Sequence, residues 1–302
     1  MSLQAVEEID DAIQRTKDIV LPFDFMTWTR LAVISIFLGG IGFFNIFTNM
    51  PTGFQNTSQY GGSGAMTGMA TAAPAVSNAV LLAVAGIFAL GFLVFMYLGS
   101  VFRFVMFRSL REKEVKVRKN IGRHYVDGFK YFLFQIGMFM LMAAVFIGWI
   151  ASFAASPLLG GLMLLPAIPL FIILAVFGGI VHDFALQRAI EFDEGFIASI
   201  RKAASTVTGD WKQFGGYLLF RIIVSWAIAI MGFFVFITVS LVLAIPFIIL
   251  GALMYALSPV VVWPVAIIGI LVWTVALLYA NVPFRVYLYS YFVELYDAFM
   301  EN

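Results

Sequence analysis

The chain alternates between long segments without charged side chains and short segments in which charge is concentrated. Residues 31–102, 131–181 and 222–284 contain no Asp, Glu, Lys or Arg. A helix that crosses a bilayer needs about 20 predominantly apolar residues, so each of these segments has room for two. The pattern therefore predicts six transmembrane helices. We expect them at about residues 29–48, 79–102, 131–152, 162–181, 217–241 and 261–282.

All charge falls on one side of this predicted topology. Residues 103–130 hold nine of the eighteen Lys and Arg residues, and two crossings per charge-free segment place every other charged residue on the same side. Lys and Arg accumulate in cytoplasmic loops, so that side is expected to face the cytoplasm. The prediction is a multi-pass protein of the plasma membrane with both termini in the cytoplasm.

One apolar segment, residues 241–260, has two interpretations. It lies between the fifth and sixth predicted helices and contains Pro246 and Pro259. A seventh crossing there would move Arg285 and the acidic residues that follow it to the outer side, against the charge rule. We therefore expect an outer interfacial or re-entrant segment packed on protein, with a seventh span as the alternative.

Amphipathic segments and matching sequences indicate an internal repeat. Residues 3–20 and 196–207 each place apolar side chains on one helical face. The sequence YFLFQI at 131–136 matches YLLFRI at 217–222, where two predicted helices enter the membrane. The predicted fold is an all-α integral membrane protein with six transmembrane helices in three helical-hairpin repeats, each preceded by a cytoplasmic amphipathic helix. Residues 1–302 then form a single membrane domain with repeat units at about 3–102, 103–181 and 182–282 and a cytoplasmic tail at 285–302.

The composition agrees with a membrane protein and excludes several kinds of function. The chain is 62% hydrophobic and 12% charged, whereas soluble domains carry about 25% charged residues. A net charge of +1 creates no field that would attract nucleic acid, so we expect no nucleic-acid partner. The absence of Cys excludes disulfides, thiolate metal ligands and cysteine nucleophiles.

Residues able to carry out chemistry are sparse. The two histidines, His124 and His182, lie in separate predicted linkers, and a metal site would need carboxylates from distant segments. No phosphate-binding glycine loop, nucleophile elbow or HExxH motif occurs. The predicted spans contain no Asp or Glu, which argues against proton-coupled transport. We therefore predict no catalytic residue, no metal, no cofactor and no enzymatic activity.

Three polar side chains occupy equivalent places about one turn inside the entering helices, namely Arg30, Gln135 and Arg221. At this depth Arg can extend to the headgroups, and snorkelling alone explains its presence. The alternative is that the repeats direct the three side chains to a shared inner-leaflet site for an anionic lipid phosphate. Asn56 begins an Asn-Thr-Ser sequon in the first predicted outer loop, which makes it a candidate glycosylation site.

The basic block at 103–130 has three interpretations: the topology signal itself, attraction to anionic lipid headgroups, and docking of an acidic partner protein. The predicted basic cytoplasmic surface consists of Arg108, Arg111, Lys113, Lys116, Arg118, Lys119 and Arg123.

Three stretches carry a resemblance to a known family: IVLPFDFMTWTRLAVISIFLGG at 19–40, GDWKQFGGYLLFRII at 209–223 and VPFRVYLYSYF at 282–292. They resemble a family of uncharacterised multi-pass membrane proteins from halophilic archaea. More loosely, the alternation of amphipathic helices and hairpins resembles the membrane domain attached to some glycerophosphodiester phosphodiesterases, whose catalytic barrel this chain lacks. The resemblance implies a fold and an archaeal plasma membrane, and it assigns no activity.

These observations favour a non-enzymatic integral membrane protein with a structural, assembly or scaffold role. Its expected partners are anionic membrane lipids and a protein at the cytoplasmic face. The alternative is a carrier or binder of lipid or of a small apolar solute, and a membrane enzyme ranks third.

Overall fold

The computed structural model describes residues 4–21, 23–38, 78–180, 184–209, 211–258 and 262–301. Within these ranges the regular structure is helical, and no strand occurs. The helices in chain order are α1 (Gln4–Val20), α2 (Phe25–Phe37), α3 (Asn78–Glu112), α4 (Val117–Ala155), α5 (Pro157–Ile180), α6 (Leu186–Glu191), α7 (Phe196–Gly209), α8 (Trp211–Leu257) and α9 (Val262–Glu301).

Five helices, α3, α4, α5, α8 and α9, are long and apolar enough to cross a membrane. A sixth results only if α1 and α2, which meet at an angle of 119°, are counted as one broken span. The prediction of an all-helical protein with several membrane-length apolar helices is therefore confirmed. The first predicted span is represented by α2 alone, because residues 39–77, which include Asn56, lie outside the described ranges.

The sharp angle between α1 and α2 is fixed by local hydrogen bonds. The Asp24 carboxylate caps α2, accepting from the Thr27 amide at 2.8 Å and the Met26 amide at 3.4 Å. The indole Nε1 of Trp28 donates to the Val20 carbonyl, the last residue of α1, at 3.0 Å. One helix therefore ends where the other begins, and α1 runs across the direction of α2.

Sequence neighbours pack as helix pairs. The pairs α2–α3, α4–α5 and α8–α9 all make direct contact, as the three predicted hairpins require. Aromatic rings mark each pair: Phe37 and Phe102 stack at 4.6 Å, Phe134 and Phe177 lie 6.1 Å apart, and Phe236 lies 5.9 Å from Trp273.

The second predicted repeat unit differs from the expectation, because no separate amphipathic helix precedes its hairpin. The basic block is instead the end of α3, a short turn and the beginning of α4. Lys113 reverses the chain there with a φ of 50°, a left-handed conformation that is uncommon for a residue other than glycine. Phe104, Phe107 and Leu110 are almost completely buried, so packing keeps α3 helical up to this turn.

The ambiguous segment at 241–260 continues α8 to Leu257 and is neither a separate seventh helix nor a separate outer segment. Its Pro246 lies inside the helix, which is tolerated in membrane helices when local adjustments satisfy the freed carbonyl. The 47 residues of α8 measure about 70 Å, more than twice the ~30 Å of a bilayer hydrocarbon core.

Most buried side chains lie in the segments of the chain that contain the charged residues. The region that we call the charged end consists of α1, residues 101–131, residues 184–209 and residues 282–301, and it contains most of the buried side chains. The apolar helices beyond it expose most of their large side chains, as expected where lipid replaces protein contacts. Residues 285–301, expected as a tail, continue α9 into this core.

Candidate functional site

The second half of α9 forms the centre of the charged end. Val286, Tyr289, Tyr291, Val293 and Tyr296 are all buried, because α1, α2, α3 and α8 contact α9. The sequence prediction missed this core by assigning the segment to a tail. Of these positions, Val286, Tyr289, Val293 and Tyr296 recur every three to four residues, and this spacing is the signal that would have identified a buried helix.

The amphipathic helix α1 packs on α9 through its apolar face. Ala12, Ile19 and Val20 are buried there. Two ion pairs flank this contact: Arg15 Nε lies 2.5 Å from the Glu294 carboxylate, and Asp18 accepts from Lys113 Nζ at 2.7 Å. Apolar burial therefore supports the docking of α1, and Asp18 connects it to the basic block.

Most of the predicted basic surface forms ion pairs within the protein. The pairs are Arg108–Glu112 (2.6 Å), Arg108–Asp193 (3.7 Å), Arg111–Asp297 (2.8 Å), Arg111–Glu191 (3.5 Å), Lys113–Asp18 (2.7 Å), Lys116–Glu114 and Arg123–Asp193. The remaining two cations, Arg118 and Lys119, are exposed and form no ion pair with any residue in the described ranges. The basic block therefore joins helices to each other and leaves two positive charges directed outward.

Arg111 connects three helices. Its guanidinium pairs with Asp297 of α9 and Glu191 of α6, and it lies 5.5 Å from the centre of the Tyr296 ring. The neighbouring Gln187 donates to the carbonyl of Phe292 at 2.9 Å, which also attaches α6 to α9. These contacts are partly shielded from solvent, so removing one partner should destabilise the fold more than it would in an exposed pair.

A second cluster surrounds Asp193 in the connection between α6 and α7. Asp193 has a φ of 50° and pairs with Arg108 of α3 and Arg123 of α4. Arg108 Nη1 also lies 3.1 Å from Nε2 of His124, whose ring stacks on Phe104. Arginine can only donate, so Nε2 of His124 accepts and the imidazole is neutral.

The contacts of this cluster connect α3, α4 and the segment between α6 and α7, which indicates a structural role. No group of three or more potential metal ligands occurs anywhere in the described part of the chain. His182, the other histidine, lies outside that part.

The three predicted headgroup residues have different surroundings. Arg30 donates to the Val115 carbonyl at 3.2 Å, and Gln135 accepts from the Ser100 hydroxyl at 2.8 Å. Arg221 lies 5.2 Å from the Phe292 ring of α9 and close to Gly179 of α5. A shared site for a lipid phosphate therefore stays a prediction, and Arg221 is the member that lies at the junction of three helices.

A polar cavity of about 400 Å³ lies at the bend between α1 and α2. Its charged lining consists of Arg30, Lys113, Lys116, Asp18, Asp24 and Glu114. Lys116 lowers the pKa of Glu114 through a hydrogen bond and its charge, and Glu114 raises the pKa of Lys116 in return. Hydrogen bonds from Thr27 lower the pKa of Asp24. Because cations and carboxylates balance here, the cavity has no excess positive charge for an anionic headgroup.

An apolar groove of about 510 Å³ lies between the far ends of α8 and α9. Leu243, Phe247 and Gly251 line it from α8, and Ala266 and Gly269 line it from α9. At its inner edge the indole of Trp273 donates to the Ser240 hydroxyl at 2.9 Å. Among the residues that the structure describes, the groove offers apolar contacts and this one side-chain hydrogen bond.

The long apolar helices and the helical charged end define the class: this chain fits an integral membrane protein. It belongs to a family of unknown function (DUF7544), whose profile matches residues 3–301. No curated protein and no solved structure matches the chain.

Proposed function

We propose that this protein is a non-enzymatic membrane scaffold whose charged end binds an acidic protein partner in the cytoplasm. The proposal rests on the observation that most cations of the basic block form ion pairs within the protein, whereas two do not. Five of its predicted surface cations are occupied by internal ion pairs, whereas Arg118 and Lys119 remain exposed on the first turn of α4. The charged end is thus a packed region in which most cations form ion pairs with carboxylates of the same chain. Its two remaining exposed cations suit the binding of an acidic protein surface.

The position of these cations favours a protein over lipid headgroups. Arg118 precedes Tyr131, where the charge-free part of α4 begins, by about 20 Å of helix. The headgroup layer on each side of a bilayer is only about 5–8 Å thick. Arg118 and Lys119 therefore extend into the aqueous phase when α4 stands along the membrane normal.

The proposed topology has six spans in three hairpin repeats, with both termini in the cytoplasm and the plasma membrane as the location. Equivalent contacts in two units support the repeats: Tyr131 packs edge-on against Phe104 at 6.2 Å, and Tyr217 packs edge-on against Phe184 at 4.8 Å. The resemblance to multi-pass membrane proteins of halophilic archaea, and more loosely to the membrane domain of some glycerophosphodiester phosphodiesterases, is consistent with this proposal.

Topology can be tested with single cysteines because the chain has none of its own. We expect Ser156→Cys, between α4 and α5, to react with an impermeant reagent only from outside. Ser205→Cys, exposed on α7, should react only from inside. Ser109 is not a suitable inner probe, since it is 1% exposed. Labelling of both positions from one side would contradict the proposed topology.

The partner proposal is tested with two double variants that remove the same charge. Arg118→Gln/Lys119→Gln removes the free cations, and Lys113→Gln/Lys116→Gln removes cations that are already paired. After native purification at low salt, we expect a polypeptide retained by the wild type and by the second variant to be lost from the first. Equal retention by both variants would contradict a specific role for Arg118 and Lys119.

The groove between α8 and α9 favours the second candidate function, a carrier or binder of lipid or of a small apolar solute. Its volume and apolar lining suit an acyl chain or a compact hydrophobic molecule. Mass spectrometry of the protein purified in mild detergent tests this candidate. One stoichiometric apolar ligand, displaced when Ala266→Phe fills the groove, would favour the carrier over the scaffold.

A further inference from the structure

The hairpin of α8 and α9 is much longer than the hairpin of α4 and α5. The two hairpins can be measured from a common height along their helices, because Gly179 of α5 lies against Leu218 and Arg221 of α8. We call this height the shared level. From that level, α5 extends about 33 Å to its first residue, Pro157. From the same level α8 extends about 58 Å to Leu257.

A bilayer covers one of these lengths and not the other. The ~33 Å of α5 matches the ~30 Å hydrocarbon core. Even at a tilt of 40°, the upper end of the usual range, α8 still extends about 44 Å along the membrane normal. Residues 222–284 contain no charged side chain, so this excess length lacks the charged surface that suits water or headgroups.

We call the excess part, residues 241–257 of α8 and 262–272 of α9, the distal hairpin. Twelve of its large apolar side chains are more than half exposed. They are Leu241, Val242, Ile245, Ile248, Ile249, Leu253, Tyr255, Trp263, Ile267, Ile268, Ile270 and Leu271. Together they offer on the order of 1,000 Å² of apolar surface, comparable to the ~800 Å² per partner of a standard stable interface.

The groove described above lies within the distal hairpin, and one of its edges is itself an exposed ridge. Ile270 lines the groove and is 61% exposed, while Phe247 and Gly269 form part of its floor. A Cβ added to Gly251 would meet no atom within 4 Å, so the groove is open at this position. Groove and ridge therefore occur on the same face of the hairpin.

We propose that the distal hairpin is the interface of a homodimer, in which a second copy of this chain covers the apolar surface beyond the bilayer. A two-fold axis, the commonest symmetry of homo-oligomers, pairs the same face of both copies and can place the ridge of each opposite the groove of the other. The ridge at Ile270 of each copy enters the groove of the other. A lipid chain fills the groove but leaves the exposed side chains beyond the headgroups uncovered. The inference goes beyond the proposed scaffold function and does not depend on the partner at the charged end.

Cross-linking in native membranes tests contact between copies. The control for Ile270→Cys is Ile222→Cys, whose site is 56% exposed on the part of α8 that the bilayer covers. With a short bifunctional thiol reagent, we expect at least a tenfold higher yield of covalent dimer at position 270 than at 222. Equal yields would overturn the proposal.

A groove-filling variant provides the second test, with the particle mass in lipid nanodiscs as the measurement. Gly251→Leu fits the single chain and occupies the groove, while Gly232→Leu is equally unobstructed but lies outside the groove. We expect dimers for the wild type and Gly232→Leu, and at least a tenfold weaker dimer for Gly251→Leu with unchanged helical content.

Two results would overturn this inference. One is a Gly251→Leu protein that dimerises like the wild type. The other is a monomeric wild type that retains a lipid which Gly251→Leu releases, because the groove would then be a lipid site.

Discussion

The two halves of α9 have similar apolar content and opposite environments. In the first half Trp263, Ile267 and Leu271 are 57–70% exposed, whereas in the second half Tyr291, Val293 and Tyr296 are at most 1% exposed. The first half lies in the charge-free region, and the second half is surrounded by ion-paired helices. The most hydrophobic segments of a membrane protein need not be the most buried within one chain, because lipid covers them inside the bilayer. In the proposed homodimer a second copy covers Trp263, Ile267 and Leu271 beyond it. Protein-like packing here is concentrated at the charged end.

The strongest test of this comparison removes one aromatic ring from each region of α3. Phe107 is fully buried at the charged end, and Phe88 is 75% exposed in the apolar part of the same helix. Phe107→Ala should lower the free energy of unfolding by about 3–5 kcal/mol, because it leaves a cavity in packed protein. Phe88→Ala should change it by less than about 1 kcal/mol, because only a lipid or detergent contact is lost. Denaturant titration in mild detergent measures both, and similar losses would contradict a core confined to the charged end.

The second test concerns the charges that join the helices. Arg111→Met leaves Asp297 and Glu191 without their shared cation, so we expect a loss of about 1–3 kcal/mol. Arg118→Met removes an exposed cation that has no ion pair in the described ranges, and it should be nearly neutral. If the same titration finds the two variants equally stable, the ion pairs of Arg111 contribute nothing measurable.

A third test examines Arg221, which lies where the two regions meet. If the headgroup hypothesis is correct, Arg221→Gln should lose most of a copurifying anionic lipid in native mass spectrometry. Arg201→Gln on α7 is the matched control, because Arg201 is exposed. Arg103 is a poor control, since it donates to the Tyr131 hydroxyl at 2.5 Å. Unchanged lipid in Arg221→Gln would leave snorkelling as the explanation for this residue.

The smallest expected effect concerns pH and the bend between α1 and α2. The lowered pKa of Asp24 means that its cap stabilises the fold above the ordinary Asp pKa of about 3.9. This contribution is lost as the pH falls through the lowered folded-state value. Asp24→Asn keeps a capping side chain without the titration, so its melting temperature should fall less steeply with acid below about pH 4. Identical acid profiles of the two proteins would show that the Asp24 charge does not contribute.

The sequence predicted the helical class and the membrane-length helices because charge-free segments are a strong, local signal. It did not predict that α8 continues through 241–257, since Pro246 and the expected ~20-residue span both suggested an interruption. It also did not identify which cations of the basic block are free. The pairing of Arg111 with Asp297 joins positions 186 residues apart, and only the folded chain brings such residues together.

The position of α9 has a consequence for synthesis at the ribosome. Thr29 of α2 and Tyr279 of α9 share a hydrogen bond across 250 residues, and α1 also packs on α9. The early helices must therefore remain without their final neighbour while α3 to α8 are translated and inserted. A chain truncated before Val286 would lack the part of α9 on which α1 packs and would expose the apolar face of α1. The second half of α9 is therefore the element whose translation allows α1 and α2 to reach their final packing.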